Sequence, residues 1–189
     1  MKQNSRLYCA STLAFFFLGV SISAGQTNRP TESQVEAAYL YNFGKFVTWP
    51  SDLARSADTF EICLIGKDPF GSILDATVSG ESINGKKIAI ARISRMQEGS
   101  ACNIVFISSS EASHLPGIVV ESRRMHVLTV SDMPHFAERG GMIGLIDQDG
   151  RIRFEVNRNE AELSHLGLSS ELLKVAVKVI ASKPAGSEP

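Results

Sequence analysis

Apolar and polar positions alternate along this chain with two different periods, and the switches between them predict its elements. Glu32 to Val47 carries two apolar stripes, Val35, Tyr39 and Phe46 on one side and Ala37, Leu40, Tyr41 and Phe43 on another, and predicts a helix stopped by Trp49-Pro50. A helix that is apolar on two sides is either buried between layers or offers its second face to a partner. Phe60 to Ile65 reads as a strand closed by Gly66, with Asp68-Pro69 as N-cap and first residue of a following helix. Lys86 to Ile93 is a strand after an Asn84-Gly85 turn, and Asn103 to Ile107 is another. Ser108 and Glu111 have capping-box spacing and predict a helix through about Glu121.

His126 to Val130 predicts a fourth strand, followed by Ser131-Asp132. Gly141 to Ile146 and Arg151 to Val156 flank an Asp149-Gly150 turn and form a hairpin. In its second arm Ile152, Phe154 and Val156 face one way, and Arg151, Arg153, Glu155 and Asn157 the other. Ser169 to Ala181 predicts a last helix, with Leu173, Ala176, Val177 and Ile180 inward. Strands alternating with helices, then a hairpin, give an α/β domain with a mostly parallel sheet flanked by helices and an antiparallel edge hairpin.

The first residues break this pattern. Lys2 and Arg6 precede an apolar run from Leu13 to Ile22, and Ser21, Ser23, Ala24 and Gly25 follow. A positive end, a short apolar core and small residues make a cleavable secretion signal over residues 1–25. A membrane-spanning helix needs about 20 apolar residues, more than this run supplies. The expected organisation is a signal peptide at 1–25, a flexible segment at 26–32, one α/β domain at 33–181 and a disordered tail at 182–189. Loss of Lys2 and Arg6 moves the formal charge from −1 to −3. A mildly acidic domain without a basic run is a poor partner for nucleic acid.

Beyond Cys9 in the leader, two cysteines remain, Cys63 and Cys102. In an oxidising compartment two cysteines most often pair, and closing a loop of this length restricts the unfolded chain by about 4 kcal/mol on the loop-entropy model. Two buried thiols are the alternative, because spacing alone does not bring Cα atoms together.

No catalytic or metal-binding set emerges. His114, His126, His135 and His165 lack metal-ligand spacing, and neither a nucleophile elbow nor a glycine-rich phosphate loop is present. No cofactor is implied. The turns leaving three parallel strands carry Lys67-Asp68, Ser109 and Ser131-Asp132, on the edge where open α/β sheets bind ligands. A small phosphorylated or carboxylated ligand suits that edge, and ordinary helix capping accounts for the same residue types. Arg153 and Glu155 offer a second polar face, which a solvated strand would also show. Tyr39, Tyr41, Phe43, Phe46 and Trp49 form the most interface-like cluster, for a partner or a second copy.

The order of motifs then becomes informative. It runs from Glu36-Ala-Ala-Tyr-Leu-Tyr-Asn-Phe43 and Trp49-Pro50 to Ile62-Cys63 and Gly66-x-Asp68-Pro69-Phe70-Gly71. Cys102, Val105-Phe106-Ile107, Val127-Leu128-Thr129-Val130-Ser131-Asp132, Phe136-Ala137 and Gly140-Gly141 follow. Arg153-x-Glu155-x-Asn157 and Ser169-Ser170-x-Leu172-Leu173 close it. Together these resemble the YfiR-like family of bacterial periplasmic regulators, over roughly Ser33 to Ala181. The resemblance implies a non-enzymatic, dimeric periplasmic repressor that binds the periplasmic sensor region of a membrane diguanylate cyclase, limiting cyclic-di-GMP and biofilm formation. It also places the family's cysteine pair at Cys63 and Cys102, while a second redox bridge has no residues to form it. A module binding a small molecule, such as a nucleotide or amino acid, is the other reading of the strand-end turns.

Overall fold

Short β-rich runs separated by Gly, Asn and Asp turns build a sheet whose two faces are both covered. The computed structural model of the chain describes residues 29–51 and 58–181. The expected signal at 1–25 and tail at 182–189 lie outside the described residues. Among those described, no helix is long and apolar enough to cross a membrane.

The elements in chain order are α1 (Glu32–Phe46), β1 (Val47–Thr48), β2 (Thr59–Ile65), α2 (Ser72–Val78), β3 (Ser82–Ile83) and β4 (Lys86–Ile93). After a 3-10 helix (Met96–Ala101) come β5 (Ile104–Ile107), α3 (Leu115–Arg124), β6 (Leu128–Ser131), β7 (Ile143–Gln148) and β8 (Arg151–Asn157). The chain closes with α4 (Arg158–Leu163), β9 (Gly167–Leu168), α5 (Ser170–Val175) and β10 (Lys178–Ile180). Eight strands form one sheet in the order β10-β8-β7-β6-β5-β2-β4-β3, and β1 pairs separately with β9. The pairs β6–β7, β5–β6, β2–β5, β2–β4 and β8–β10 are parallel, whereas β7–β8 and β3–β4 are antiparallel. This is the α/β architecture the periodicity predicts.

Alternation along the central strands divides the core in two. Ile62, Leu64, Ile104, Phe106, Leu128 and Val130 face the layer of Ala37, Leu40 and Phe43 from α1 and Leu74 from α2. Cys63, Ile65, Val105 and Ile107 point the other way, against Leu115, Ile118 and Val119 of α3. Strands buried on both faces explain the near-continuous apolar runs in β5 and β6. Cys63 of β2 and Cys102, just before β5, are joined by a disulfide with Cα atoms 5.9 Å apart. The bridge lies inside the α3-side layer, with both residues buried.

Helix α1 begins on a capping box. Thr31 accepts from the Gln34 amide, and the Gln34 side chain accepts from the Thr31 amide. Four expectations need correction. Asp68 does not cap a helix at Pro69: its Oδ1 accepts from the Phe70 and Gly71 amides at 2.7 and 3.1 Å, an Asx turn. Gly71 then adopts φ +54°, which no helix continues through, so α2 starts at Ser72. The capping box at Ser108 does not form either. Ser109–Glu111 is one 3-10 turn, and α3 starts at Leu115, where Pro116 falls in the first turn and no amide is missed.

His126 has φ +54° behind the end of α3, which delays β6 to Leu128. The expected helix from Ser169 to Ala181 ends at Val175. From there the Val177 amide donates to the Phe154 carbonyl at 3.0 Å, and Lys178–Ile180 runs parallel to β8. Ile180 is therefore half-buried on a strand, and Val177 and Val179 are exposed. The hairpin β7–β8 consequently has β10 outside it.

Candidate functional site

The carboxyl ends of β2, β5 and β6 lie together along one edge of the sheet, because parallel strands connected by helices all end on the same side. Most polar groups there are spent on the chain itself. The Lys67 amide donates to Ser110 Oγ at 2.9 Å, across an approach that Gly66 permits, since a Cβ at Gly66 would meet that oxygen at 2.5 Å. Ser131 is fully buried; its hydroxyl donates to the Ile107 carbonyl at 2.6 Å and accepts from the Met133 amide at 3.0 Å. Asp68 accepts from Arg92 Nε at 2.9 Å, and Arg92 Nη2 reaches Asp75 at 2.8 Å and the Gly71 carbonyl at 2.9 Å. The Arg92 hydrogen bond holds the Asp75 carboxyl below its usual range. Ser109 sits in the 3-10 turn, where its backbone lies within reach of Asp132. These contacts lock loops together and leave Asp68 and Ser131 little capacity for a ligand.

Asp132 is different. It follows β6 and lines a cavity of about 410 Å³ with Glu32 and Glu36 of α1, Asp147 of β7 and Glu155 of β8. Glu36 shares the inward face of α1 with Ala37, Leu40 and Phe43, and is only 4% exposed. Its pKa is pushed up to about 7, first by burial and then by the negative charges of Asp132 and Glu32. Asp132 is also raised, by burial, with hydrogen bonds from its own backbone and that of Ser109 opposing the shift. Its Oδ1 is buried without a hydrogen-bond partner. Glu36 is the most strongly perturbed acid among the described residues, Asp132 is desolvated on the same cavity, and such groups concentrate at functional sites.

Of the ligand-binding candidates, the fold thus brings Asp132 and Glu155 to one cavity. Lys67, Asp68, Ser109 and Ser131 stay in the loop lattice beside it, and Arg153 is solvent-exposed on β8. Glu36 was the residue missing from the expected set. Its signal is a lone acid at a core position of the α1 stripe, four residues before Leu40 and seven before Phe43. Asn157, at the end of the same β8 polar face, is structural. It is buried, its Nδ2 donates to the Ala137 carbonyl at 2.7 Å, and its Oδ1 caps α4 through the Glu160 amide at 3.2 Å.

The aromatic cluster splits. Phe43 is 1% exposed and packs edge-on to Phe154 with ring centroids 5.1 Å apart, so it belongs to the core and is withdrawn from any contact surface. Tyr39 is half-buried beside both rings, and its hydroxyl donates to the Ile152 carbonyl at 3.2 Å. Tyr41 is half-buried, bonded to Glu81 and covered by the Lys45 ammonium. Trp49 stands edge-on to Phe60 and is also half-buried. Phe46 is the exposed member, at 39%.

One further group of potential metal ligands, Glu61, Cys63 and Cys102, lies close together, but a disulfide withholds both sulfurs from thiolate coordination.

The fold is similar to that of a conserved domain protein from Vibrio cholerae, with TM-score 0.55 and 11% identity. The match covers 79% of this chain and 60% of that one, so the chain spans about three fifths of its length. Weaker similarity extends to the ABC domain in complex with L-Trp from Streptococcus pneumonia, with TM-score 0.47 and 11% identity over 65% of this chain and 55% of that one. A ligand-free substrate binding protein with adhesive properties from Clostridium difficile gives TM-score 0.45 and 11% identity, over 69% and 57% of the two chains. No curated protein matches the sequence. The YfiR/HmsC-like family model matches residues 33–177, which takes in every element from α1 to α5, and membership supports a periplasmic regulatory role. By that match the chain belongs to the YfiR/HmsC-like family.

Proposed function

We propose that this protein is a periplasmic regulator that represses a membrane-bound diguanylate cyclase by binding the cyclase's periplasmic sensor region, and so limits cyclic-di-GMP and biofilm formation. The observation that carries this reading is the family match over residues 33–177. The cysteine pair is consistent with it, since a buried disulfide persists in an oxidising compartment. The reading assigns the protein no reaction and needs no cofactor. It works by contact between surfaces, in a homodimer.

Phe46 supports a contact surface at the C-terminal end of α1, with Tyr41 and Trp49 half-buried nearby in sequence. Aromatic residues with an exposed apolar face are enriched at interface centres. Co-purification of the exported protein with the sensor region of a cyclase encoded beside it tests the reading. A complex weakened by Phe46→Glu, together with raised cyclic-di-GMP in a deletion strain, is expected. No complex, with unchanged cyclic-di-GMP, overturns it.

The alternative of a small-ligand module draws support from the cavity of Glu36 and Asp132. Its chemistry argues against a nucleotide, because carboxylates at the wall repel phosphate.

A further inference from the structure

The Glu36 cavity contains charge that nothing in the fold requires. Helix α1 could place an apolar residue at position 36, as it does at positions 37, 40 and 43. Instead it places Glu36, a residue only 4% exposed, on the cavity wall. Among the described residues its carboxyl has no hydrogen-bond partner, and the charges acting on it are Asp132 and Glu32, both negative. Across the cavity the Asp132 carboxyl accepts from the backbone at itself and at Ser109, while its Oδ1 stays buried without a partner. Buried polar groups are normally satisfied, and the Glu36 carboxyl and the Asp132 Oδ1, on one cavity with no donor for either, point to a donor supplied from outside.

The balance of charge around the cavity identifies that donor as cationic. Glu32, Glu36, Asp132, Asp147 and Glu155 line it, and among the described residues His135 is its one basic residue. The His135 ring is largely exposed and pairs with Glu138. Glu155 feels Lys178 from the neighbouring strand, and Asp147 Oδ1 accepts from the Gly150 amide at 2.8 Å. Arg29 and Arg151 line only the adjoining hollow.

The spacing of the carboxylates selects the shape of the cation. Among the described residues, no three of these acids bring oxygen atoms within 4.8 Å of one another, whereas a calcium ion gathers its oxygens around one point. Glu36 and Asp132 line this cavity alone, whereas Glu32 and Asp147 border both it and the adjoining hollow. Leu145, Ile146 and Ile152 supply apolar wall. A volume of about 410 Å³ falls in the range of small-molecule sites.

We propose that the cavity between α1, the end of β6 and the β7–β8 hairpin binds a linear aliphatic diamine or polyamine. One ammonium sits between Glu36 and Asp132, the methylene chain lies on Leu145 and Ile152, and a second ammonium reaches Glu32 and Asp147. An ammonium beside Glu36 favours its carboxylate, so binding near neutral pH releases a proton from Glu36 to solvent. The proposal is independent of the cyclase reading, because it is tested on the isolated protein.

Isothermal titration of the exported protein with 1,4-diaminobutane and spermidine at about pH 8 tests it, with n-butylamine and calcium chloride as competing probes. Saturable diamine binding is expected, about tenfold or more weaker for Glu36→Gln and for Asp132→Asn, and also for the monoamine. Near pH 7 the heat should change with the ionisation enthalpy of the buffer, reporting the released proton. Glu36→Gln removes a buried acid, so its melting curve should show a folded protein, and Glu162→Gln on exposed α4 should bind like the parent. No saturable heat with either amine, unaltered binding by both cavity variants, or tighter binding of calcium would each overturn the proposal.

Discussion

Glu36 on α1 and Asp132 after β6 face the same cavity from two elements nearly a hundred residues apart in sequence, and among the described residues neither carboxyl has a cation paired with it. Burial raises the cost of ionising Glu36, and the negative charges of Asp132 and Glu32 add to it.

Stability should therefore fall as pH rises through neutrality. The Glu36 carboxyl goes from 4.5 in the unfolded chain to about 7 in the folded one, so the folded state binds this proton more tightly. Its contribution is full below about 4.5 and is lost as pH rises through about 7. The loss is on the order of 2–3 kcal/mol. Urea unfolding at about pH 5 and pH 8 should show that loss in the parent and much less of it in Glu36→Gln. Equal pH dependence in the two proteins would contradict the assignment.

The Cys63–Cys102 disulfide closes a loop with a sequence separation of 39 inside the α3-side layer. Replacing both cysteines by Ala should cost about 2–5 kcal/mol, the usual range for native bridges in small exported domains. Both residues are buried, so reductant should act on the native protein only through its opening. Thermal melts with and without reductant, compared with the double variant, check both points. A double variant with an unchanged midpoint would show the bridge to be dispensable.

Asn157 holds three parts of the chain at once, through its amide to Met142, its Nδ2 to Ala137 and its Oδ1 to the first turn of α4. Asn157→Ala strands the Ala137 carbonyl and the Glu160 amide and should destabilise by about 1–3 kcal/mol. Denaturant midpoints measure this. Amine binding at the Glu36 cavity should survive, since Asn157 does not line it.

Gly141 lies against the buried Phe136 ring, and a Cβ there would come well inside van der Waals distance of three ring carbons. Gly141→Ala should destabilise by about 1–3 kcal/mol through overpacking. The companion change Phe136→Leu, made in the Gly141→Ala background, should recover part of the loss. A lack of coupling in the double-mutant cycle would count against the contact.

Local chemistry carried much of the architecture. The Asn84-Gly85 and Asp149-Gly150 turns take positive φ at both residues, as their residue types require; the second delivers the expected β7–β8 hairpin, and the first pairs β4 with the short β3, a strand the sequence pattern does not predict. The capping box at Thr31 similarly starts α1, because it acts within one turn of the residues that encode it, and the helix ends at Phe46, before β1 and Trp49-Pro50. What local chemistry left undecided is what long-range pairing decides. The run from Ala176 to Ile180 has β-branched residues that suit helix spacing and a strand alike, and only the free edge of β8 beside it makes β10. The α2 and α3 starts shifted because Asp68 and Ser108 spent their side chains on tight turns, a competition between two local hydrogen-bonding patterns that sequence does not rank.

The sequence by itself determined the class of fold, the β7–β8 hairpin, the first helix and the family, since these rest on periodicity and turn residues that act locally or in fixed order. Tertiary structure alone decided that Glu36 is an interior acid and that Asp132 is the strand-end residue which meets it. A charge on an apolar stripe acquires its meaning from what covers it, and here the cover comes from β6, β7 and β8, far along the chain.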